Sequence, residues 1–109
     1  MQISTREAGE VTIVEVDGNV DLSTSAALRR SLFAILVDTP KLALNLAAIR
    51  YIDSSGIATL IEVLKASQRL KMEFVLFGLS PAVQDVFRLT HVSRIFKIFQ
   101  TEQEALGIP

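Results

Sequence analysis

The chain has 109 residues, enough for one domain with a single core, and with half of them apolar and 21% charged it is not a disordered polymer. Eleven Lys+Arg against twelve Asp+Glu leave a net charge of −1, which provides no overall electrostatic footprint for nucleic acid or an anionic membrane. Cysteine is absent, which excludes disulfides, thiol chemistry and Cys-ligated metals.

The first residues, Met1-Gln2-Ile3-Ser4-Thr5-Arg6-Glu7, lack the basic and apolar regions of a secretory leader. No apolar run approaches the ~18 residues of a membrane span. A soluble, cytoplasmic protein without membrane insertion is expected.

Residues 2–8 alternate loosely, and Val11-Thr12-Ile13-Val14-Glu15-Val16 alternates well. With Gly9-Glu10 as a turn between them, they predict an antiparallel hairpin whose second strand closes at Asp17-Gly18. Ser23 or Thr24 then caps a helix on which Leu28, Leu32 and Ile35/Leu36 recur at helical spacing. That helix stops before Asp38-Thr39-Pro40, because proline disfavours helical backbone in the residue preceding it. Leu42 to Ile52 is an apolar run interrupted by Asn45 and Arg50, and Leu42–Leu46 suits a buried strand.

At Asp53-Ser54-Ser55-Gly56 the run gives way to acid, hydroxyls and glycine, and a second amphipathic stripe begins at Ile57. Asp or Ser just ahead of such a stripe marks a helix N-cap. Phe74–Phe77 reads as another buried strand, ended by Gly78. Ser80-Pro81 then starts a third helix, with proline where its missing N–H costs nothing. Ile95–Phe99 predicts a last short strand, with its apolar pairs serving as core, edge or dimer contact. Thr101-Glu102-Gln103-Glu104 has the form of a capping box. Strands alternating with helices predict a single α/β domain over residues 1–109. Its mixed sheet has about five strands, mostly parallel, with an antiparallel N-terminal hairpin and about four helices.

Chemistry is sparse in this pattern. The glycines are scattered singly, without a phosphate-cradling loop. One histidine without cysteine offers no metal site, and no cofactor is implied. Ser54, His91 and Asp21 can be written as a hydrolase triad, but the strained Gly-x-Ser-x-Gly elbow is missing, so an enzyme is not expected. The cations from Arg29 to Lys97 are spread over several helices and read as a solvated face. Two serines at a helix start are nevertheless where a phosphate is electrostatically welcome.

Three blocks carry a family likeness: Val16-Asp17-Gly18-Asn19-Val20-Asp21, Ile49 to Ile57, and Leu79-Ser80-Pro81-Ala82-Val83 with Val86 to Thr90. In order and spacing they resemble the STAS domain family, most closely the bacterial anti-sigma factor antagonists. The resemblance implies a regulatory module whose unphosphorylated form binds an anti-sigma factor that is also a serine kinase of histidine-kinase-like ATP-binding fold, releasing the sigma factor. It implies phosphorylation of Ser54, with Ser55 the rival acceptor, and reversal by a serine phosphatase. Asp21, Asp53, Ser54, Ser55, Gly56, Ile57 and Ala58 are the implied partner-binding residues. Two departures stand out. Leu70-Lys71-Met72 replaces a common Gly pair, so that turn must be built otherwise, and Ala58 replaces a common Gly, adding a methyl beside the site. The alternative is a STAS subunit docking without phosphorylation, on the ATPase of a phospholipid-transport ABC complex or within a signalling scaffold.

Overall fold

Strands β1 (Gln2–Ala8) and β2 (Val11–Val20) form the expected hairpin in the computed structural model, which describes residues 1–108. Gly9 closes it at φ +61, a conformation that L side chains resist. The chain continues through α1 (Ser25–Leu36), β3 (Lys41–Asn45), β4 (Ile49–Ile52), α2 (Ser54–Arg69), β5 (Glu73–Phe77), α3 (Pro81–Thr90), a 3-10 turn at Val92–Arg94, β6 (Lys97–Phe99) and α4 (Glu102–Ala105). The strand order is β1-β2-β3-β5-β6, antiparallel only at the β1–β2 hairpin, and β4 pairs with β2 off this path.

Two expectations are corrected here. The apolar run from Leu42 to Ile52 is two strands, where only Leu42–Leu46 was expected as one, and the sheet has six strands against about five expected. Asn45, a polar interruption in the sequence, makes the break: its side-chain carbonyl accepts the N–H of Ala47 at 2.9 Å, an Asx turn that ends β3. Nor does β2 close at Asp17-Gly18. Its first half pairs with β3, and a register shift after Gly18 lets Gly18–Val20 pair with β4 instead. Gly18 stands at φ +124, so this change of partner uses backbone freedom that other residues lack.

One face of the sheet carries the main core. Leu28, Leu32 and Leu36 of α1, Ile57, Leu60 and Val63 of α2, and Val83 and Phe87 of α3 pack onto Val14, Val16, Leu42, Leu44 and Leu76. Each such aliphatic contributes roughly 1.5–3 kcal/mol relative to exposure. The opposite face buries Ile13, Ala43, Val75 and Phe77 beneath Ala105 of α4. A capping box holds this short helix: Thr101 Oγ1 accepts from Glu104 N, and Glu104 Oε1 accepts from Thr101 N, both at 3.2 Å. The last apolar pairs divide between roles. Phe96 is core, stacked on Phe87 with centroids 5.7 Å apart, Ile95 is exposed, and Ile98 and Phe99 are half-buried. The turn without a Gly pair is built by Lys71, left-handed at φ +57, with Met72 N donating to Ser67 O at 3.0 Å to end α2.

Candidate functional site: two aspartate-led junctions

Because β2 finishes against β4, the chain leaves two neighbouring parallel strands side by side. The backbone N–H of Asp53 donates to Val20 O at 3.2 Å, which ties the two exits together. Each exit begins with aspartate, and Asp21 lies near enough to Asp53 to act on its titration.

Asp53 is the N-cap of α2, with extended backbone at φ −118, ψ −169. Its Oδ1 accepts from Ser55 N at 3.0 Å, Ser55 Oγ at 2.6 Å and Gly56 N at 3.4 Å. The Ser55 hydroxyl first, and then the N–H groups of Gly56 and Ser55, hold the Asp53 carboxyl below the usual carboxylate range, against the opposing charge of Asp21. The Ser55 hydroxyl is therefore occupied. Ser54 is exposed, and among the described residues its hydroxyl has no partner.

Asp21 repeats the device ahead of α1. Its Oδ1 accepts from Ser23 N at 2.9 Å and from Ser23 Oγ at 2.6 Å, and these bonds lower its pKa, the hydroxyl contributing most. Thr24, not Ser23, is the helix N-cap residue, but its hydroxyl makes no capping bond. It accepts from Asp21 N at 2.9 Å and donates to Asn19 O at 2.8 Å, which folds the junction back onto the end of β2.

Gly56 and Ile57, expected among the partner-binding residues, are both buried, Ile57 at 6% exposure. A Cβ on Gly56 would lie 2.7 Å from Ile52 Cγ1 and 2.7 Å from Val20 Cγ1. The first turn of α2 is thus pressed against the ends of β4 and β2, and these residues support the surface from beneath. Asp21 and Asp53 are partly exposed, Ser55 half-buried, and Ser54 and Ala58 exposed. Ala58 is one turn beyond Ser54 on the same helix face, so its methyl is beside the free hydroxyl. Leu22 is 82% exposed and Tyr51 50% exposed, the latter paired with Asn19 next to the exits. Neither was anticipated as part of the site, although the shared Asp-x-Ser spacing of Asp21–Ser23 and Asp53–Ser55 was present in the sequence and relates them.

The electrostatic reading also changes in detail. Sequence reasoning gives a phosphate here unpaired helix N–H groups, but the Asp53 carboxylate already accepts from two of them. A phosphate on Ser54 therefore meets the Asp53 carboxylate at those two N–H groups, and in this first turn the Ser54 N–H is left without a partner among the described residues. His91 closes α3 at the opposite end of the parallel strands from Ser54, so the hydrolase triad does not assemble. Among the described residues no group of three or more His, Asp or Glu could hold a metal ion, and no helix is long and apolar enough to cross a membrane.

The site is thus an exposed, unbonded hydroxyl at an acid-flanked helix start of a small α/β domain. The sequence profile of the STAS domain matches residues 2–105, and the chain belongs to that family. It is similar to the anti-sigma-B factor antagonist of Listeria monocytogenes, 29% identical over 108 residues that cover 98% of this chain and 94% of the relative. It is also similar to the anti-sigma-F factor antagonist RsfB of Mycobacterium tuberculosis, 26% identical over 95% of this chain and 85% of the relative. The crystal structure of an anti-sigma factor antagonist from Mycobacterium paratuberculosis has the same fold, with a TM-score of 0.85 at 24% identity over 97% of this chain and 91% of the other.

Proposed function

We propose that this protein is an anti-sigma factor antagonist whose partner surface is the pair of aspartate-led junctions and whose switch is phosphorylation of Ser54. Unmodified, it binds an anti-sigma factor that is also a serine kinase of histidine-kinase-like ATP-binding fold, which frees a sigma factor in the cytoplasm. A serine phosphatase restores the unmodified form. The observation that carries this reading is the contrast between the two serines. Ser54 Oγ is exposed and unbonded, whereas Ser55 Oγ is held by Asp53 Oδ1 at 2.6 Å and would have to give up that bond before accepting a phosphoryl group.

Physics supplies the switch. A phosphoserine carries about −1.5 to −2 charges at neutral pH. Placed next to Asp53, with Asp21 close to that aspartate, it gathers three anionic groups near a surface where Leu22, Tyr51 and Ala58 are exposed. A partner docking there must desolvate that charge, while the Ser55 and Gly56 N–H groups are already taken by Asp53. The fold itself has little at stake, because the modified oxygen makes no internal bond.

Incubation with the cognate kinase and ATP, followed by mass spectrometry, tests the proposal. Phosphate on Ser54, its absence in Ser54→Ala, and a fall of about 100-fold in kinase affinity for the phosphorylated form are expected, with Tm moved by no more than ~3 °C. An unmodified chain that instead recovers a transporter ATPase and permease, and binds them equally well as Ser54→Asp, would overturn the reading.

A further inference from the structure

Strand β6 is an edge of the sheet, and among the described residues no strand pairs with its outer side. Phe99 O accepts from Gly78 N at 3.1 Å, so the backbone of Phe99 faces β5. The alternation of the strand then directs the N–H and C=O of Ile98 outward. Beside this edge are two cavities of about 430 and 420 Å³ between β6 and α3, and they share Leu79, Gln84 and Ile98. Together they form one trough along Ile98 and Phe99, with Lys97 outside it. Its walls include Phe99 at one end and the edge of the buried Phe87 ring nearer the other.

The charge in the trough is of one sign. Arg88, His91 and Arg94 gather at the end where α3 finishes and β6 begins, and no carboxylate lines either cavity. Arg88 shares one exposed contact with Asp85 at 3.2 Å, and Arg94 has no ion pair among the described residues. The other sheet edge, β1, differs: the cavity beside it is lined by Glu15 and Asp17 and offers no comparable basic end.

We infer that the β6–α3 trough binds an extended segment of a partner protein, which adds to the sheet as a further strand. Its aliphatic side chains fill the floor formed by Leu79, Phe87 and Ile98, and acidic residues at one end meet Arg88, His91 and Arg94. Main-chain hydrogen bonds to an exposed edge supply affinity in such additions, and side-chain pockets supply choice. Ion pairs at the rim set orientation and encounter rate. The site is separate from the junctions at Asp21 and Asp53, so it can be occupied whichever way Ser54 is modified.

Selection of a displayed library of random 12-residue peptides against the full chain tests this. Enriched peptides should carry acidic residues, bind the wild type by fluorescence anisotropy, and slow hydrogen exchange at the Ile98 amide. Arg88→Glu/Arg94→Glu changes two exposed side chains and should weaken binding at least tenfold. Ile98→Pro removes an outward N–H that β5 does not use, and should do the same. Ser54→Asp should leave peptide binding unchanged. If Ile98→Pro fails to fold, the double charge reversal and the Ile98 exchange in wild type decide the matter. No enrichment, enrichment of neutral or basic peptides only, or binding that survives the charge reversal would overturn the inference. A dimer in sedimentation that Arg88→Glu/Arg94→Glu dissociates would overturn it too, by making a second copy the occupant. These readouts are independent of any kinase at Ser54.

Discussion

The junctions ahead of α1 and α2 are built from the same local device and put it to different uses. In both, aspartate leaves a strand and its Oδ1 accepts the N–H and hydroxyl of the serine two residues on, with O···O distances of 2.6 Å. At Asp53 the carboxylate is also the helix cap, and the residue between, Ser54, stands at the first position of α2. At Asp21 the helix starts four residues later, Thr24 bonds back to the strand, and the residue between is the exposed Leu22. One turn therefore presents an exposed hydroxyl at a helix start, and its neighbour presents an exposed aliphatic side chain. The local hydrogen bonding fixes the frame, while the middle residue decides what the frame displays.

The comparison can be broken most forcefully at Gly56. Glycine to alanine ordinarily strengthens a helix, yet a Cβ here meets two β-branched side chains at 2.7 Å, neither of which has a free rotamer to yield. Gly56→Ala should destabilise by about 2 kcal/mol, a fall of roughly 10 °C in Tm; an unchanged melting curve would mean that α2 is not pressed against the strands. A smaller effect separates the two aspartates. Asp53→Ala removes a true cap and should lower Tm by roughly 5 °C, whereas Asp21→Ala, with Thr24 still holding the loop, should lower it by about half as much. Equal losses would show that the two turns do the same structural work.

Ser55→Ala sharpens the contrast between the serines through pH. The Asp53 carboxyl is depressed mainly by the Ser55 hydroxyl. Its folded value thus lies below its unfolded one. The stability it contributes is present above the ordinary aspartate value of about 3.9 and is lost as pH falls through the depressed folded value. Removing the hydroxyl should raise the Asp53 pKa toward the ordinary value and move acid loss of stability to higher pH, as followed by carboxyl NMR and by melting across pH 2–6. A pKa unmoved by Ser55→Ala would place the cause in the backbone N–H groups. The smallest stability effect belongs to Leu22→Ala, within about 0.5 kcal/mol because the side chain is exposed. Its effect should fall on the partner, with kinase affinity reduced tenfold or more in calorimetry.

Much of this fold was legible because it is written in local signals. Ser80-Pro81, Thr101–Glu104 and Asp53 each act through side chains within a few residues, and each caps where expected. The helix stripes were legible for the same reason. The split of Leu42–Ile52 and the change of β2 from one partner to another were not, because strand pairing is decided by residues distant in sequence. The site was legible in the same proportion. Asp21, Asp53 and Ser54 were named through the family resemblance, whereas the burial of Gly56 and Ile57 depends on how α2 meets Val20 and Ile52. The trough beside β6 left no mark on the sequence, since Leu79, Gln84, Arg88, Arg94 and Ile98 meet only when α3 folds beside the sheet edge.

The N–H groups of Ser55 and Gly56 are already taken by Asp53. With only the Ser54 N–H of that turn unpartnered among the described residues, the proposed phosphoryl group on Ser54 would act mainly through its field rather than by shape. A field signal is screened by ions, over a length of about 8 Å at physiological ionic strength. The contrast between modified and unmodified forms should therefore shrink as salt rises, and a plain carboxylate at position 54 should reproduce much of it. The proposed switch should then respond to the ionic content of its surroundings as well as to a kinase.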